Sequence, residues 1–233
     1  MLTEARWDAA EQDLDNVDLN ENAMLTYGEF DLDHFYSILD VAVAASGKST
    51  SSLTFADLGS GAGRLVLSAA ARSNWKACVG VEVLPSLHQL AEKLHAAAQE
   101  LAQSHDALLS PCRFEEVDLS SAGARDALSC VDVAFAFSTC FEDEVFAAAL
   151  RRALPLGAIV VTIDAFLPNR EPEAGEEGET HGFFVLREAV SSMGADSDGE
   201  ASDGQTHTAP YTAYVWELRA SRPAVSIDYA LLS

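Results

Sequence analysis

Three glycines and three carboxylates stand out for the chemistry their spacing allows. Gly59, Gly61 and Gly63 alternate in Asp57-Leu58-Gly59-Ser60-Gly61-Ala62-Gly63. An apolar run over 53–58 precedes them, and Leu65, Val66, Ala69 and Ala70 follow at helical spacing. A strand that ends in a glycine turn and opens a helix is a cofactor-binding device: glycines let the backbone approach the ligand, and the turn lies outside the carboxyl end of the strand. The pattern is G-x-G-x-G. The dinucleotide fingerprint needs a glycine three residues after the second one, and Arg64 stands there. Asp57 ends the strand, where a carboxylate repels a pyrophosphate and suits a cationic amino-acid group. Glu82 ends the next apolar run, where a carboxylate can accept from both ribose hydroxyls. Asp118 follows a third run, placed to accept from an adenine amino group, with Leu119 beside it to pack on the ring. As a loop carboxylate, Asp118 reads equally as a turn residue. The set favours S-adenosylmethionine as cofactor, with S-adenosylhomocysteine as product.

No metal site is expected. Cys78, Cys112, Cys130 and Cys140 form no CxxC, and the histidines do not pair with them at zinc-ligand spacing. The cysteines stand in apolar, strand-like contexts and read as buried reduced thiols. His88 and His95, seven apart on one helix, read as ordinary surface residues.

The elements that must position these groups follow from periodicity. Helices are expected over 29–45, 64–72 and from 85 onward, the last with Ser86 and Gln89 as a capping box and Leu87, Leu90, Leu94 and Leu101 at helical spacing. Another is expected over 142–154, with Val145, Phe146, Ala149 and Leu150 inward and Pro155-Leu156-Gly157 ending it. Strands are expected over 53–58, 77–83, 113–117, 131–137 and 158–163. Two further strand-like runs, 183–190 and 211–219, have no helix between them and should pair antiparallel at the sheet edge. The fold class is therefore α/β, a seven-stranded, mostly parallel, doubly wound sheet with an antiparallel C-terminal pair. Residues 1–25 read as an acidic N-terminal arm, and 26–233 as one domain carrying flexible acidic loops at 169–182 and 191–209.

The 37 acidic and 14 basic residues leave a net charge of −23. Such a field repels nucleic acid and anionic lipid, so direct binding to either is not expected, and it attracts basic partners. Solvation alone also accounts for it. No apolar run approaches the length of a membrane span. The N-terminal stretch opposes Glu4, Asp8, Glu11, Asp13, Asp15 and Asp18 with Arg6, unlike a secretory or mitochondrial leader. An intracellular protein, cytoplasmic or nuclear, is expected. The sequence leaves the oligomeric state open.

Thr26-Tyr27-Gly28-Glu29-Phe30, the glycine run with Arg64-Leu65-Val66-Leu67, and Gly80-Val81-Glu82 occur in an order that resembles the non-SET histone lysine methyltransferases of the disruptor-of-telomeric-silencing (Dot-one) type. The resemblance runs roughly over 26–219. It implies a Rossmann-like class I methyltransferase fold and a methyl transfer from S-adenosylmethionine to lysine. It implies that Tyr27, Gly28 and Glu29 fold over the methionine part of the cofactor, that Asp57, Glu82 and Asp118 contact it, and that Tyr214 is the family's late aromatic. Read without the family, Tyr27 is a turn aromatic before a helix. Where the family carries an Asn-Asn-Phe-Ala-Phe type segment, this chain has Phe137-Ser138-Thr139-Cys140-Phe141.

Phe135, Phe137, Phe141 and Tyr214 are the candidates for a dry channel wall around an entering amine, or else ordinary core. Three functions remain open at this point: a protein lysine methyltransferase drawn to basic proteins, a methyltransferase for a small molecule or another residue, and a non-catalytic cofactor-binding interaction protein.

Overall fold

The structure, a computed structural model, describes residues 30–137, 143–168, 182–191 and 211–220. The arm expected over 1–25 and nearly all of the two acidic loops fall outside these. Helix α1 (Leu32–Ser46) starts at Asp31, whose side chain accepts from the His34 amide at 2.9 Å, and stops at Gly47 in the left-handed region. It buries Phe35, Ile38, Leu39 and Ala42. A 3-10 turn (Thr50–Ser52) leads into β1 (Thr54–Leu58), buried throughout. There follow α2 (Arg64–Arg72), β2 (Ala77–Glu82), α3 (Pro85–His105), β3 (Cys112–Glu116), α4 (Ala122–Leu128) and β4 (Val133–Ala136). The chain continues through α5 (Asp143–Ala153), β5 (Ile159–Ile163), β6 (Phe183–Ser191) and β7 (Thr212–Arg219).

One sheet in the order β3-β2-β1-β4-β5-β7-β6 joins the seven strands. The first five are parallel, and β7 runs antiparallel between β5 and β6. The expected antiparallel pair is therefore present, but only β6 is an edge strand. Strand order reverses between β1 and β4, which makes their carboxyl ends the crevice where ligands of such sheets bind. Alternating side chains split the core. Phe55, Val133, Phe135, Ile159, Val161 and Val215 pack with α1 and α2 on one face. Ala56, Leu58, Ala134, Val160 and Trp216 pack with α4 and α5 on the other. Trp216 is wholly buried, and its indole N–H donates to Thr162 Oγ1 at 3.0 Å, which in turn donates to the Ala165 carbonyl at 2.6 Å. No described helix is long and apolar enough to cross a membrane.

Several local expectations are corrected. Helix α3 starts at Pro85 with Leu84 as its N-cap and no side-chain cap bond from it, so Ser86 lies inside the first turn and not at the capping position. Leu101 is 62% exposed and Val145 56% exposed: each keeps the helical spacing but falls on the solvent side of its helix. His88 is buried, and His95 is half-buried with its ring 5.7 Å from that of Phe114, because α3 lies on the sheet along this face. Cys130 is exposed, whereas Cys78 is buried and Cys112 half-buried; Cys140 lies outside the described residues. Helix α4 is an addition, too short and alanine-rich to show a clear period.

Candidate cofactor site

The glycine loop is a tight turn fastened to β2. The Gly59 and Ser60 amides both donate to the Val81 carbonyl, at 2.8 and 2.9 Å, and the Gly63 amide donates to the Ser60 carbonyl at 2.9 Å. Gly59, Gly61 and Gly63 all take positive φ, at 80, 52 and 80°. Only glycine does so without strain. Gly63 carries a second demand: a Cβ there would lie 2.6 Å from the Phe114 ring. A Cβ at Gly80 on β2 would lie 2.5 Å from the same ring and 2.7 Å from Ser60 Oγ. Phe114 is thus the wedge that seats the loop, a role that its place in a strand did not signal.

Asp57 and Glu82 come together at the carboxyl ends of β1 and β2. Glu82 is 7% exposed, and its carboxylate shapes the loop: Oε2 accepts from the Gly61 amide at 2.7 Å, and Oε1 from the Val83 and Leu84 amides at 2.8 and 2.9 Å. This carboxylate thus fixes the turn that follows β2 as well as the glycine loop. Asp57 is 3% exposed and accepts no hydrogen bond from any described residue. Its burial, and then the charge of Glu82, hold its carboxyl well above the usual carboxylate range. A buried carboxyl without a donor is costly unless a ligand supplies one. The hydroxyl of Ser60 in the loop is likewise buried without a partner.

The remaining sequence candidates divide. Asp118 is exposed beyond β3, with Oδ1 accepting from the Ser120 amide at 2.7 Å, and Leu119 packs against the α4 and α5 face. Phe135 is buried in β4, its ring 5.4 Å from Phe30 and 5.3 Å from Phe35. Phe137, half-buried, stacks edge-on against Phe30 at 5.4 Å, and Tyr211 lies 4.7 Å from the same ring. Tyr214 stands on the other face of the sheet, against Phe166 at 5.3 Å and Trp216 at 6.0 Å. It shares no wall with Phe135 and Phe137, because neighbouring residues of β7 point to opposite faces. Tyr27, Gly28, Glu29 and Phe141 lie outside the described residues. The hub of the aromatic group is Phe30, whose carbonyl accepts from Arg64 Nη1 at 2.5 Å. Arg64, read from the sequence only as a missing glycine, ties the start of the glycine-loop helix to the aromatic cluster. Burial, and then the charges of Asp31 and Asp164, hold the Tyr211 phenol well above its ordinary value. A groove of about 450 Å3 lined by Lys48, Lys76 and Asp132 opens at the amino ends of the strands, the opposite end from Asp57.

A family model described as Histone methylation protein DOT1 matches residues 14–177 of the chain. The protein belongs to the DOT1 family. The match spans the glycine loop, Glu82, Asp118 and the aromatic end of β4, and it starts inside the acidic stretch expected over 1–25. A search of curated proteins found no match. Among solved structures, the chain is similar in fold to the rRNA methyltransferase aviRa from Streptomyces viridochromogenes. One structure of that protein has a TM-score of 0.52 at 17% identity, covering 83% of this chain and 89% of that one. Another has a TM-score of 0.51 at 15% identity, covering 86% and 94%. An RNA methyltransferase from Salinibacter ruber, solved with S-adenosyl-L-homocysteine, gives a TM-score of 0.45 at 21% identity, covering 81% and 94%.

Membership in the DOT1 family sets the reaction class as methyl transfer from S-adenosylmethionine. The site fits that cofactor on its own terms. Asp57 lacks a cationic partner that an α-ammonium would provide, Glu82 stands beside it at the end of β2, and Ser60 offers an unused hydroxyl. A Cβ at Gly59 would meet nothing within 4 Å, so the loop presents open space at its apex.

Proposed function

We propose that this DOT1-family methyltransferase acts on a lysine side chain of a basic protein. The family match carries the reading, and the charge of −23 supports a cationic partner over nucleic acid. The sulfonium of the donor supplies an electrophilic methyl group; the residues of the chain orient and dry the site. Asp57 and Glu82 hold the donor at the ends of β1 and β2. Phe30, Phe135 and Phe137 build an apolar wall beside it at the end of β4. A lysine amine has an unperturbed pKa of about 10.4 and must attack as the neutral form. An apolar wall penalises the ammonium and so favours that form, while the in-line approach is a matter of positioning. On this reading it works inside the cell, in cytoplasm or nucleus, where S-adenosylmethionine and basic proteins meet. Residues 26–233 form the catalytic domain.

A second reading, a small-molecule or other-residue acceptor, is favoured by one observation: Phe137, where the family places an asparagine, packs on Phe30. Incubation with radiolabelled S-adenosylmethionine, core histones, other basic proteins and a metabolite extract separates the two. Label recovered as methyl-lysine from a protein supports the first, and label confined to the metabolite fraction overturns it. The double variant Asp57→Ala with Glu82→Ala should transfer none.

A further inference from the structure

Two thiols sit one strand-width apart beneath the glycine loop. Cys78 on β2 and Cys112 on β3 are direct register partners, and both belong to the core cluster on the α1 and α2 face. Neighbouring strands lie about 4.7–4.9 Å apart, inside the range of about 4.4–6.8 Å between the Cα atoms of a disulfide. The two side chains project to the same face of the sheet, and the Cys112 thiol donates to the Ser110 carbonyl at 3.3 Å. Both backbones are held. The Cys78 amide donates to the Pro111 carbonyl at 2.8 Å, the Ser110 amide to the Ala70 carbonyl at 3.0 Å, and Ser110 Oγ to the Ser73 carbonyl at 2.8 Å. β3 is the edge strand, so the half-buried Cys112 is approached from solvent while Cys78 is sealed behind it.

We propose that Cys78 and Cys112 form a cross-strand disulfide on reaction with a hydroperoxide, and that this bond weakens cofactor binding through Phe114. The second half rests on the cofactor site described above. In the first step the Cys112 thiolate attacks a peroxide oxygen. The O–O bond breaks, the alcohol leaves with a proton, and Cys112 becomes a sulfenic acid. In the second step the Cys78 sulfur attacks the sulfenic sulfur. The S–O bond breaks, and the hydroxide leaves as water with the Cys78 proton. The pair gives up two electrons, and the peroxide takes them. The neighbouring Cys78 thiol lowers the Cys112 thiol from its ordinary value, which suits the more exposed Cys112 to the first attack, and the proximity of Cys112, with burial, raises the Cys78 thiol.

The link to the loop is two residues long on each strand. Gly80 follows Cys78, and Phe114 follows Cys112. The Phe114 ring fills the space that a Cβ at Gly63 or Gly80 would need, at 2.6 and 2.5 Å from those positions, so it packs on both glycines. Disulfide Cα atoms most often stand about 5.5–6 Å apart, wider than the strand spacing of about 4.7–4.9 Å, so the bond shifts β3 against β2 and with it the seat of the Phe114 ring on Gly63 and Gly80.

The full-length reduced protein, treated with a small excess of hydrogen peroxide, should lose two thiols and 2 Da per chain. Peptide mapping should link Cys78 to Cys112, and dithiothreitol should reverse it. Cys130→Ser should leave the link intact; Cys112→Ser and Cys78→Ala should each abolish it. Calorimetry with S-adenosylhomocysteine should show binding about tenfold weaker in the oxidised form, with no such change in peroxide-treated Cys112→Ser. A map that links Cys130 instead, or leaves Cys78 open to alkylation, overturns the pair. A linked protein that binds S-adenosylhomocysteine as tightly as the reduced one overturns the coupling. Failure of the reduced protein to bind it at all counts against the cofactor site, while the peptide map still decides the disulfide.

Discussion

Replacing Asp57 by asparagine should strengthen the free protein and cripple its ligand binding, an opposition that follows from its environment. The carboxyl is 3% exposed, has no described donor, and is held well above the ordinary carboxylate range by burial and by Glu82. Folded Asp57 therefore keeps its proton to higher pH than it does in the unfolded chain. Across the window from the ordinary carboxylate range up to the raised folded value, the native state binds more protons, so stability falls as pH rises. Asp57→Asn removes that slope and should raise stability at neutral pH by about 1 kcal/mol, or ~2–4 °C in Tm for a chain of this size. The same change deletes the anionic partner of the ligand ammonium. A hydrogen bond to a charged group contributes about 1.5–3 kcal/mol, which is roughly a 10- to 160-fold loss of affinity for S-adenosylhomocysteine. Thermal unfolding and calorimetry read the two effects separately. In the native protein the ammonium favours ionised Asp57, so binding within that window should release a proton and tighten as pH rises. Calorimetry in two buffers of different ionisation heat measures the release. An Asp57→Asn protein that binds normally, or that is less stable than the native one, would refute the reasoning.

Glu82→Gln leaves one acceptor oxygen for three backbone donors, so it should lower stability by about 1–3 kcal/mol in urea unfolding and weaken S-adenosylhomocysteine binding as well. Gly80→Ala places a methyl against Phe114 and Ser60 and should cost about 1–3 kcal/mol; adding Phe114→Leu should recover part of it in the same measurement. Trp216→Phe removes the hydrogen bond to Thr162 on the far face. It should cost about 1 kcal/mol in unfolding while leaving calorimetric binding of S-adenosylhomocysteine unchanged.

The sequence was most readable where one local rule decided the outcome. Helix α2 runs over Arg64–Arg72 as its apolar stripe indicates, since Gly63 fixes the start and the buried side chains follow one period. Asp57 and Glu82 were legible because the carboxyl end of a buried strand places its side chains with little freedom. Legibility failed where position depends on the rest of the sheet. Leu101 and Val145 satisfy a helical period yet face solvent, because periodicity fixes the spacing and not which neighbours cover it. Tyr214 and Phe137 are both aromatic and both near strand ends, but the register of β7 against β5 sends Tyr214 to the opposite face. Phe114 and Arg64 act by contact with residues far along the chain, the first on Gly63 and Gly80, the second on the Phe30 carbonyl. Neither has a local signature.

The place of β7 bears on how the protein is made. β5 is complete at Ile163, but its sheet partner on that side is the last described strand, closing at Arg219. On a ribosome adding ~5–20 residues per second, the Ile-Val-Val-Thr-Ile edge of β5 waits on the order of several seconds for its neighbour. β6 emerges first and must leave a strand-wide gap. An apolar edge left open in this way invites pairing with other chains. Nascent chains stalled before residue 212 should therefore depend on chaperones far more than full-length ones, although the cofactor-binding half of the sheet is already assembled.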